Sequence, residues 1–352
     1  MMKQKTVLVV NQFNSDNLGD KLLNRSLCDS LELMGYKVVS CGFAQTTKQE
    51  VKYVENEDCS DIKTLIKNNI PESLKYIIKY QHRLKKEVDR FDINNVEAII
   101  IGGGQLLKTK SVFLQCLEFW CDYAHKNDIP LYIFGIGVDD KLSITEINKY
   151  KNILKKSQFV NCRDEYSYKI LTKVLGIECY VSPDIAFTHL IEKVDSKDII
   201  LVMPYSLITA QKAFGFSKSK EEYYSSIYDM IRKYEHRNYS IVITATTSSD
   251  ARESLCFKKW AEKKNVRLSI EEMHTIKDMD ELFSRAAVVI SGRMHALIVG
   301  KICGAILEPI VISKKIEQFN NEYNIPSIRI EDIVRSSKEG LSLLLERMNN
   351  NE

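Results

Sequence analysis

An arginine and a histidine two residues apart, Arg293 and His295, follow directly after the apolar run 287–290. The β-branched run predicts a buried strand, and residues 294–299 predict the first turns of a helix. The pair therefore falls at the carboxyl end of a strand and at a helix N-terminus, where open α/β sheets bind ligands and anions. A guanidinium and an imidazole placed there suit a phosphate or carboxylate substrate that also needs a proton moved.

The spacing of these two residues sets a geometric condition. Residues two apart on a regular helix point to nearly opposite sides, so both can face one crevice only if Arg293 lies in the turn before the helix. The structural alternative is an Arg293 paired with a carboxylate and a His295 that caps its own helix. These residues alone favour neither interpretation.

A second candidate segment, Asn17-Leu18-Gly19-Asp20, follows the first predicted strand. Asn17 and Asp20 are typical of residues that cap a helix, here one that begins near residue 21. In the functional interpretation their oxygens face the cleft and hydrogen-bond the hydroxyls of a polyol substrate. The residues themselves leave both interpretations open.

Three consecutive glycines, Gly102, Gly103 and Gly104, follow another apolar run. Glycines after a buried strand allow backbone amides to approach a ligand closely. The spacing is not the G-x-G-x-x-G dinucleotide fingerprint, and a single glycine cluster is weak evidence for a ligand.

Two further loops close predicted strands. Arg163 comes directly after the strand 159–162 and before Asp164 and Glu165, which suit the first turn of a helix. The loop 181–187 closes the next strand. Ion pairs and turns would explain both loops, but Arg163 and Arg293 come from different halves of the chain and both follow strands, which favours a site between the halves.

The elements that position these residues follow one repeated pattern, in which short apolar runs alternate with longer amphipathic segments. This pattern predicts parallel sheets covered by helices on both faces. The predicted strands are 7–10, 38–40, 98–101, 131–135, 159–162, 179–181, 199–203, 240–244, 266–270 and 288–291. The predicted helices lie near 20–34, 62–90, 111–127, 144–156, 165–174, 220–236, 250–264, 278–286 and 294–302.

The length of 352 residues indicates two domains, because one core usually stops growing at roughly 250–300 residues. A polar stretch at 192–198 predicts the linker. The predicted units are therefore an N-terminal Rossmann-like domain (1–190), a second Rossmann-like domain (198–335) and a C-terminal helix (336–352). The predicted fold class is α/β, with two Rossmann-like domains that face each other across a cleft.

Composition excludes several classes of protein. A net charge of +3 is too small at this length to indicate nucleic-acid binding, and the nine cysteines include no C-x-x-C pair, which predicts reduced thiols and no metal site. No apolar run reaches the length of a signal-peptide core or a membrane span. We therefore expect a cytoplasmic protein. The basic amphipathic segment 75–90 suits peripheral contact with the inner face of the membrane, although such helices are more often solvated faces.

Taken in chain order, five segments resemble the polysaccharide pyruvyltransferase family. The family pattern is an early N-x-G-D, a central G-G-G, an R-D/E-x-x-S segment, a D-P-A-like turn and a late S-x-R-x-H. The matching segments are Asn17-Leu18-Gly19-Asp20, Gly102-Gly103-Gly104, Arg163-Asp164-Glu165-Tyr166-Ser167, Pro183-Asp184-Ile185-Ala186 and Ser291-Gly292-Arg293-Met294-His295. The resemblance spans roughly residues 7–305. Ile185 departs from the pattern, since the family often has proline there, and 45–95 shows no family pattern.

The resemblance implies a GT-B-like arrangement, phosphoenolpyruvate as the donor and a hydroxyl pair of a glycan or lipid-linked saccharide as the acceptor. It implies that His295, Arg293 and Arg163 bind the donor and carry catalysis, with Ser291 and Gly292 beside them. The acceptor side would comprise Asn17, Asp20, Gly103 and Gly104. The product would be a pyruvate ketal on a capsule, exopolysaccharide or cell-wall polymer.

The predicted chemistry suits these residue types. Two guanidinium forks can hold the carboxylate and the phosphate of phosphoenolpyruvate bidentately. Ketal formation needs a group that gives and takes protons near neutral pH, and His295 is the candidate. Neither a metal nor a cofactor is required, because arginines can neutralise the leaving phosphate. The alternatives are a GT-B glycosyltransferase with a nucleotide-sugar donor and a non-catalytic protein of the same fold. The acceptor sugar, the linkage and the oligomeric state stay open.

Overall fold

The computed structural model describes residues 6–44, 49–53, 76–139, 141–192, 194 and 196–350. Two parallel sheets organise these residues, with the strand orders β2-β1-β3-β4-β5-β6 and β11-β10-β7-β8-β9. The first sheet comprises β1 (Thr6–Asn11), β2 (Lys37–Gly42), β3 (Val96–Leu107), β4 (Leu131–Val138), β5 (Phe159–Cys162) and β6 (Tyr180–Val181). The second comprises β7 (Ile199–Met203), β8 (Ser240–Ile243), β9 (Ser269–Ile270), β10 (Ala286–Ser291) and β11 (Ile306–Pro309).

Helices connect the strands and cover the sheets. In the first domain these are α1 (Leu18–Leu33), α2 (His82–Val88), α3 (Phe113–Lys126), α4 (Ile144–Leu154) and α5 (Glu165–Lys169). In the second they are α6 (Leu207–Phe214), α7 (Lys220–Arg232), α8 (Ser248–Glu262), α9 (Ile276–Ser284), α10 (Met294–Ile302) and α11 (Lys314–Tyr323), followed by α12 (Ile330–Asn349). Short 3-10 turns lie at Ile93–Asn95, Ile185–Thr188 and Glu235–Arg237, and π-helical turns at Tyr76–Gln81 and Ile170–Val174.

The central strands are buried along their whole length, as expected for parallel sheets that carry helices on both faces. Every residue of β1, β4, β7 and β10 is buried. In each sheet the order in which strands are added reverses at one point, which lies between β1 and β3 in the first sheet and between β7 and β10 in the second. Ligands bind at such points in open α/β sheets. The structure confirms the predicted α/β fold with two Rossmann-like domains.

The last helix, α12, returns to the first domain. Ser337 on this helix donates a hydrogen bond to the backbone oxygen of Asp184 (3.2 Å), and Arg347 donates to the hydroxyl of Tyr180 (2.8 Å). The helix begins at Ile330, so the predicted boundary between 335 and 336 falls inside it. Arg329, the residue before the helix, makes no side-chain cap, which removes the usual sequence mark of a helix start.

The two domains contact each other at the amino end of α1. The backbone N–H of Leu18 donates to the carbonyl of Thr246 (3.0 Å), and the N–H of Ser248 donates to the carboxylate of Asp16 (2.9 Å). The hydroxyl of Tyr53 accepts a hydrogen bond from the N–H of Ala245 (3.0 Å). These contacts hold the carboxyl ends of both sheets against one cleft.

Part of the basic segment 75–90 packs into the protein. Residue 75 lies outside the described residues. On α2, Leu84 and Glu87 are buried, and Glu87 accepts a hydrogen bond from the N–H of Gly42 (3.2 Å). This part of the segment therefore packs against the core of the first domain. Contact of the segment with a membrane stays a prediction. Among the described helices, none is both long and apolar enough to cross a bilayer.

Candidate active site

Arg163 is a buried arginine whose guanidinium is only partly paired. It follows β5 and lies over Gly137 of β4, where a Cβ atom would come within 3.0 Å of Nη2. Its Nη1 donates to Asp184 Oδ2 (3.1 Å), and its side chain is 1% exposed. Nε and Nη2 donate no hydrogen bond to any residue that the structure describes. A buried guanidinium with two unused donors indicates a place for an anion or a water molecule.

Asp184 joins the arginine to the histidine. It begins the 3-10 turn Ile185–Thr188, where Oδ1 accepts from the N–H of Ala186 (3.0 Å). Its Oδ2 faces both Arg163 Nη1 (3.1 Å) and His295 Nε2 (3.7 Å). Burial alone would raise the pKa of this carboxyl, but the neighbouring His295 and Arg163 outweigh it and lower the pKa. Asp184 is therefore an ionised carboxylate that lies between the guanidinium of Arg163 and the imidazole of His295.

His295 lies in the first turn of α10, with its ring against α1. It is 8% exposed, and Nε2 has no hydrogen-bond partner within the described ranges. On its other side the ring contacts Gly19, where a methyl group would overlap Nδ1. The histidine therefore belongs to the second domain but is held between Asp184 and Gly19 of the first.

Gly19→Ala tests this packing. Alanine favours a helix over glycine by about 1 kcal/mol, but here its methyl group displaces the imidazole ring. A displacement of about 1 Å costs roughly a hundredfold in turnover, so we expect a loss of that order with little change in unfolding temperature. Glu32→Ala, at an exposed position near the other end of α1, should be neutral in both measurements. Full activity in Gly19→Ala would contradict the described position of the ring.

The partly paired guanidinium of Arg163 opens onto a pocket between the domains, and His295 lies behind two residues that line it, Asp184 and Met294. Arg163, Asp164 and Asp184 line it from the first domain, and Met294 is among the residues that line it from the second. The lining from α11 comprises Lys315, Gln318, Phe319, Glu322 and Tyr323. The pocket is therefore made of groups from both domains.

Lys315 is the functional candidate that the sequence did not reveal. Burial and the nearby Arg163 lower the pKa of Lys315 to about 7, although Asp184 and Asp164 oppose the shift. On the same helix, burial and the charges of Asp164 and Glu165 raise the pKa of Glu322 to about 7. Shifted groups that cluster in a cleft are typical of functional sites. The available signal was the helical spacing of Lys315, Gln318, Phe319 and Glu322, which places one face toward the pocket.

Arg293 lies in the turn before α10, as its geometric condition requires, with an extended backbone (φ −105°, ψ 124°). Its Nε and Nη2 donate to the two carboxylate oxygens of buried Asp250 (2.6 and 3.0 Å), and Nη2 also donates to Thr247 (3.2 Å). The guanidinium lies 4.1 Å from the ring centre of Tyr205. The guanidinium edge that we predicted to bind a donor anion is thus paired with Asp250, because a buried carboxylate needs a cationic partner. Only Nη1 takes no part in these hydrogen bonds.

Arg293→Lys tests how much this fork matters. A lysine cannot reproduce the bidentate pair with Asp250 or stack as a plane on Tyr205. Charge-assisted hydrogen bonds contribute about 1.5–3 kcal/mol, so we expect the affinity for phosphoenolpyruvate, the donor that the resemblance implies, to fall about tenfold to a hundredfold. Calorimetric titration of phosphoenolpyruvate measures the change, with Arg232→Lys, an exposed ion-paired arginine, as the matched control. Unchanged affinity in Arg293→Lys would restrict Arg293 to a structural ion pair.

The other predicted donor-side residues shape the turn itself. Ser291 is fully buried, and its hydroxyl accepts a hydrogen bond from the N–H of Arg293 (3.0 Å). Gly292 lies against Tyr205, where a Cβ atom would approach the tyrosine Cβ within 3.0 Å. Their direct contact with a donor stays a prediction, and the structure gives both a role in holding Arg293 in place.

The predicted acceptor residues gather at the amino end of α1. Asn17 caps the helix by accepting from the N–H of Gly19 (3.0 Å), which is the structural alternative for this residue. Asp20 accepts from the hydroxyl of Ser15 (2.9 Å). Gly103 and Gly104 have φ values of +76° and +88°, and a Cβ atom on Gly104 would lie 4.0 Å from Asp20 Oδ1. The structure thus brings Asp20 and Gly104 together, and their contact with an acceptor stays a prediction.

Comparison with solved structures shows the fold. The UDP-GlcNAc 2-epimerase of Methanocaldococcus jannaschii, solved with UDP-GlcNAc and UDP, matches with a TM-score of 0.50 at 13% identity, over 96% of this chain and 93% of its own. The Anabaena protein HepE, solved with UDP and glucose, matches with a TM-score of 0.50 at 9% identity, over 96% of this chain and 99% of its own. These likenesses support the GT-B-like arrangement and carry nothing about substrates.

Comparison of the sequence with protein families gives the more specific result. No curated protein matches the chain significantly. The family model described as polysaccharide pyruvyl transferase matches residues 17–304, which include Arg163, Asp184, Arg293 and His295. The matched range covers most of the chain and both domains, and so the chain belongs to the polysaccharide pyruvyl transferase family.

Proposed function

We propose that this protein transfers the pyruvyl group of phosphoenolpyruvate to two hydroxyls of a sugar, forming a pyruvate ketal and releasing inorganic phosphate. The observation that carries the proposal is the pocket between the domains that Arg163 and Lys315 line, with two donors of Arg163 that make no hydrogen bond within the described residues. His295 lies behind it, with Nε2 3.7 Å from Oδ2 of Asp184, which lines the same pocket. Two cationic groups and one acid–base group suit a small dianionic substrate that must be protonated.

The anions of the donor have distinct partners in this proposal. Nε and Nη2 of Arg163 form the planar edge that suits two oxygens of a phosphate or a carboxylate. In this proposal the ammonium of Lys315, from the second domain, also contacts an anionic group of the donor, and Nη1 of Arg293 donates a further hydrogen bond to it. The phosphate then leaves from among positive charges, which stabilises the charge that develops on it.

The proton chemistry falls to His295. Protonation of the methylene carbon makes C2 electrophilic as a sugar oxygen attacks it; phosphate leaves, and the second hydroxyl then attacks C2 and closes the ketal ring. An imidazole beside an ionised Asp184 can deliver the first proton and accept one from a hydroxyl. Asp184 stabilises the imidazolium that forms but makes no direct contact with the reacting atoms.

The acceptor in this proposal is a glycan or a lipid-linked saccharide of capsule, exopolysaccharide or cell-wall synthesis, modified in the cytoplasm. Support comes from the family and from the position of Asp20, which faces Gly104 at the edge of the cleft. The carboxylate of Asp20 is suited to accept hydrogen bonds from sugar hydroxyls.

The decisive assay follows phosphate release from phosphoenolpyruvate with and without polysaccharide precursors from cells that lack the gene. We expect release that depends on the acceptor, together with a gain of a pyruvyl group in the acceptor mass spectrum. Release of a nucleoside diphosphate from a sugar nucleotide, with phosphoenolpyruvate untouched, would overturn the proposal in favour of a glycosyltransferase.

Lys315 makes donor binding depend on pH. With its pKa lowered to about 7, the ammonium is present below that pH and is lost as the pH rises through it. We expect the affinity for phosphoenolpyruvate to fall above about pH 7, by up to about tenfold per pH unit. In Lys315→Arg the charge persists, so this fall should disappear, whereas Lys315→Met should bind weakly at every pH. A wild-type affinity that is constant from about pH 7 to about pH 9 would contradict the role of Lys315.

A further inference from the structure

One lysine at the carboxyl edge of the first sheet, Lys108, has no partner for its charge. It directly follows β3, the strand that carries Gly103 and Gly104, and it is half-buried. Its ammonium makes no ion pair or hydrogen bond with any residue that the structure describes, and lies 4.4 Å from the ring centre of Phe113. Lysines without partners are ordinary on a solvated surface, but this one is partly enclosed by protein.

The fold fixes the position of Lys108. Tyr150 on α4 is fully buried, and its hydroxyl accepts a hydrogen bond from the N–H of Lys108 (3.1 Å) and donates one to its carbonyl (2.9 Å). The next residue, Thr109, donates its N–H to the carboxylate of Asp139 (3.1 Å). The backbone at Lys108 is therefore held before any ligand arrives, which lowers the entropic cost of binding one.

Charges from both domains act on this ammonium. Burial lowers the pKa of Lys108. The carboxylates of Asp20 and Asp139 oppose the shift, Asp20 more strongly. Arg163, and Arg293 of the second domain, add to it. Because burial prevails, the neighbouring carboxylates do not balance the charge of the ammonium, and an anion brought by a ligand would stabilise it.

The position of Lys108 separates it from the groups assigned to the donor. Among the described residues, those that line the pocket of Arg163 and Lys315 do not include Lys108. Asp20, the carboxylate with the largest effect on Lys108, is the residue that we predict to bind sugar hydroxyls. The strand β3 also borders the point where the strand order of the first sheet reverses, and such points bind ligands. Lys108 therefore belongs to the acceptor side of the cleft.

We propose that Lys108 binds an anionic group of the acceptor, a phosphate or a carboxylate that lies beside the sugar hydroxyls to be modified. An ammonium is a compact charge with three donors, which suits the oxygens of either group. The inference rests on the proposed function and narrows the acceptor to a negatively charged saccharide. A neutral saccharide would leave the ammonium without a partner in the complex.

Titration of saccharide precursors tests the proposal on the full-length protein. The probes are precursors from cells that lack the gene, separated by anion exchange into a charged and a neutral fraction. We expect the wild type to bind the charged fraction, and Lys108→Met to bind it about tenfold to a hundredfold more weakly. Lys108→Arg keeps the charge and should keep most of the affinity. Methionine preserves an apolar contact with Phe113, so the loss reports the charge.

Two treatments of the charged fraction identify the anionic group. Mild acid removes a phosphate or diphosphate linked to the reducing end, whereas carbodiimide activation followed by borohydride reduces carboxylates to alcohols. One treatment should weaken binding by the wild type to the level of Lys108→Met, and the same treatment should have no further effect on that variant. Wild-type binding that survives both treatments unchanged would contradict the proposal.

Titration of the donor separates this inference from the reaction on which it rests. Lys108→Met should bind phosphoenolpyruvate nearly as well as the wild type, and Lys155→Met, at an exposed position of the first domain, should match the wild type throughout. The inference is overturned if Lys108→Met binds the charged fraction normally, if it loses phosphoenolpyruvate binding instead, or if the wild type prefers the neutral fraction. A wild type that binds the charged fraction but releases no phosphate from phosphoenolpyruvate contradicts the proposed function alone. Unfolding temperatures verify that the variants are folded.

Discussion

His295→Gln should lose turnover by roughly 10²–10⁴ while it binds phosphoenolpyruvate nearly as well as the wild type. The glutamine amide can donate a hydrogen bond in place of Nε2 but cannot relay a proton at neutral pH. The measurement is acceptor-dependent phosphate release, paired with calorimetric titration of the donor. The split between turnover and binding identifies the imidazole as the proton-transfer group.

The rival role for His295 is orientation of the donor phosphate through a hydrogen bond. That role predicts the reverse pattern, with most activity retained in His295→Gln and a weaker donor affinity in His295→Ala. The matched control is His236→Gln, which changes an exposed histidine of the second domain and should behave as the wild type. Activity near the wild-type value in His295→Gln would remove the proton-transfer role.

Arg163→Lys should lower the affinity for phosphoenolpyruvate about tenfold to a hundredfold, because an ammonium cannot replace the planar edge formed by Nε and Nη2. The lysine retains a positive charge beside Asp184, so most of the fold stability should remain. Arg163→Ala should also unfold more easily, by about 3–5 kcal/mol, because it leaves a buried carboxylate without its partner.

Titration of the donor and chemical unfolding of the two Arg163 variants separate the two roles. Arg232→Lys, on an exposed side chain paired with Glu235, controls for the chemical change itself. A lysine variant with native donor affinity would show that the two unused donors face water and not phosphoenolpyruvate. Equal unfolding free energies in both variants would contradict the described pairing with Asp184.

Local patterns in the sequence predict most of the elements. The runs 159–162 and 199–203 match β5 and β7 at both ends, and residues 294–302 match α10. Such elements are apolar runs or periodic segments with clear boundaries, which depend little on the rest of the chain. The sequence does not predict β11, because its short run contains Glu308 and ends in Pro309, which interrupts the apolar pattern of a buried strand. The sequence does not predict α6, which has only eight residues, or α11, which is mostly polar and buries only Ile316 and Phe319.

The site was predictable only in part. Arg163 and His295 were found because each follows a strand and belongs to an ordered series of motifs. The pair between Arg293 and Asp250 joins residues 43 apart in sequence, so its existence depends on how α8 packs beside β10. Lys315 lies on a helix without a clear sequence pattern, and its altered pKa arises from the burial that the pocket creates. Local periodicity carries no information about either contact.

The return of α12 to the first domain has a consequence for the order in which this protein matures. Its Ser337 holds the backbone of Asp184, and Gly340 packs so closely on Ser182 that a side chain there would overlap it. Residues 330–349 leave the ribosome after the whole second domain. The loop that carries Asp184 therefore stays incompletely packed until translation has passed both sheets, and the wall of the pocket that this loop forms depends on a helix that is made after them.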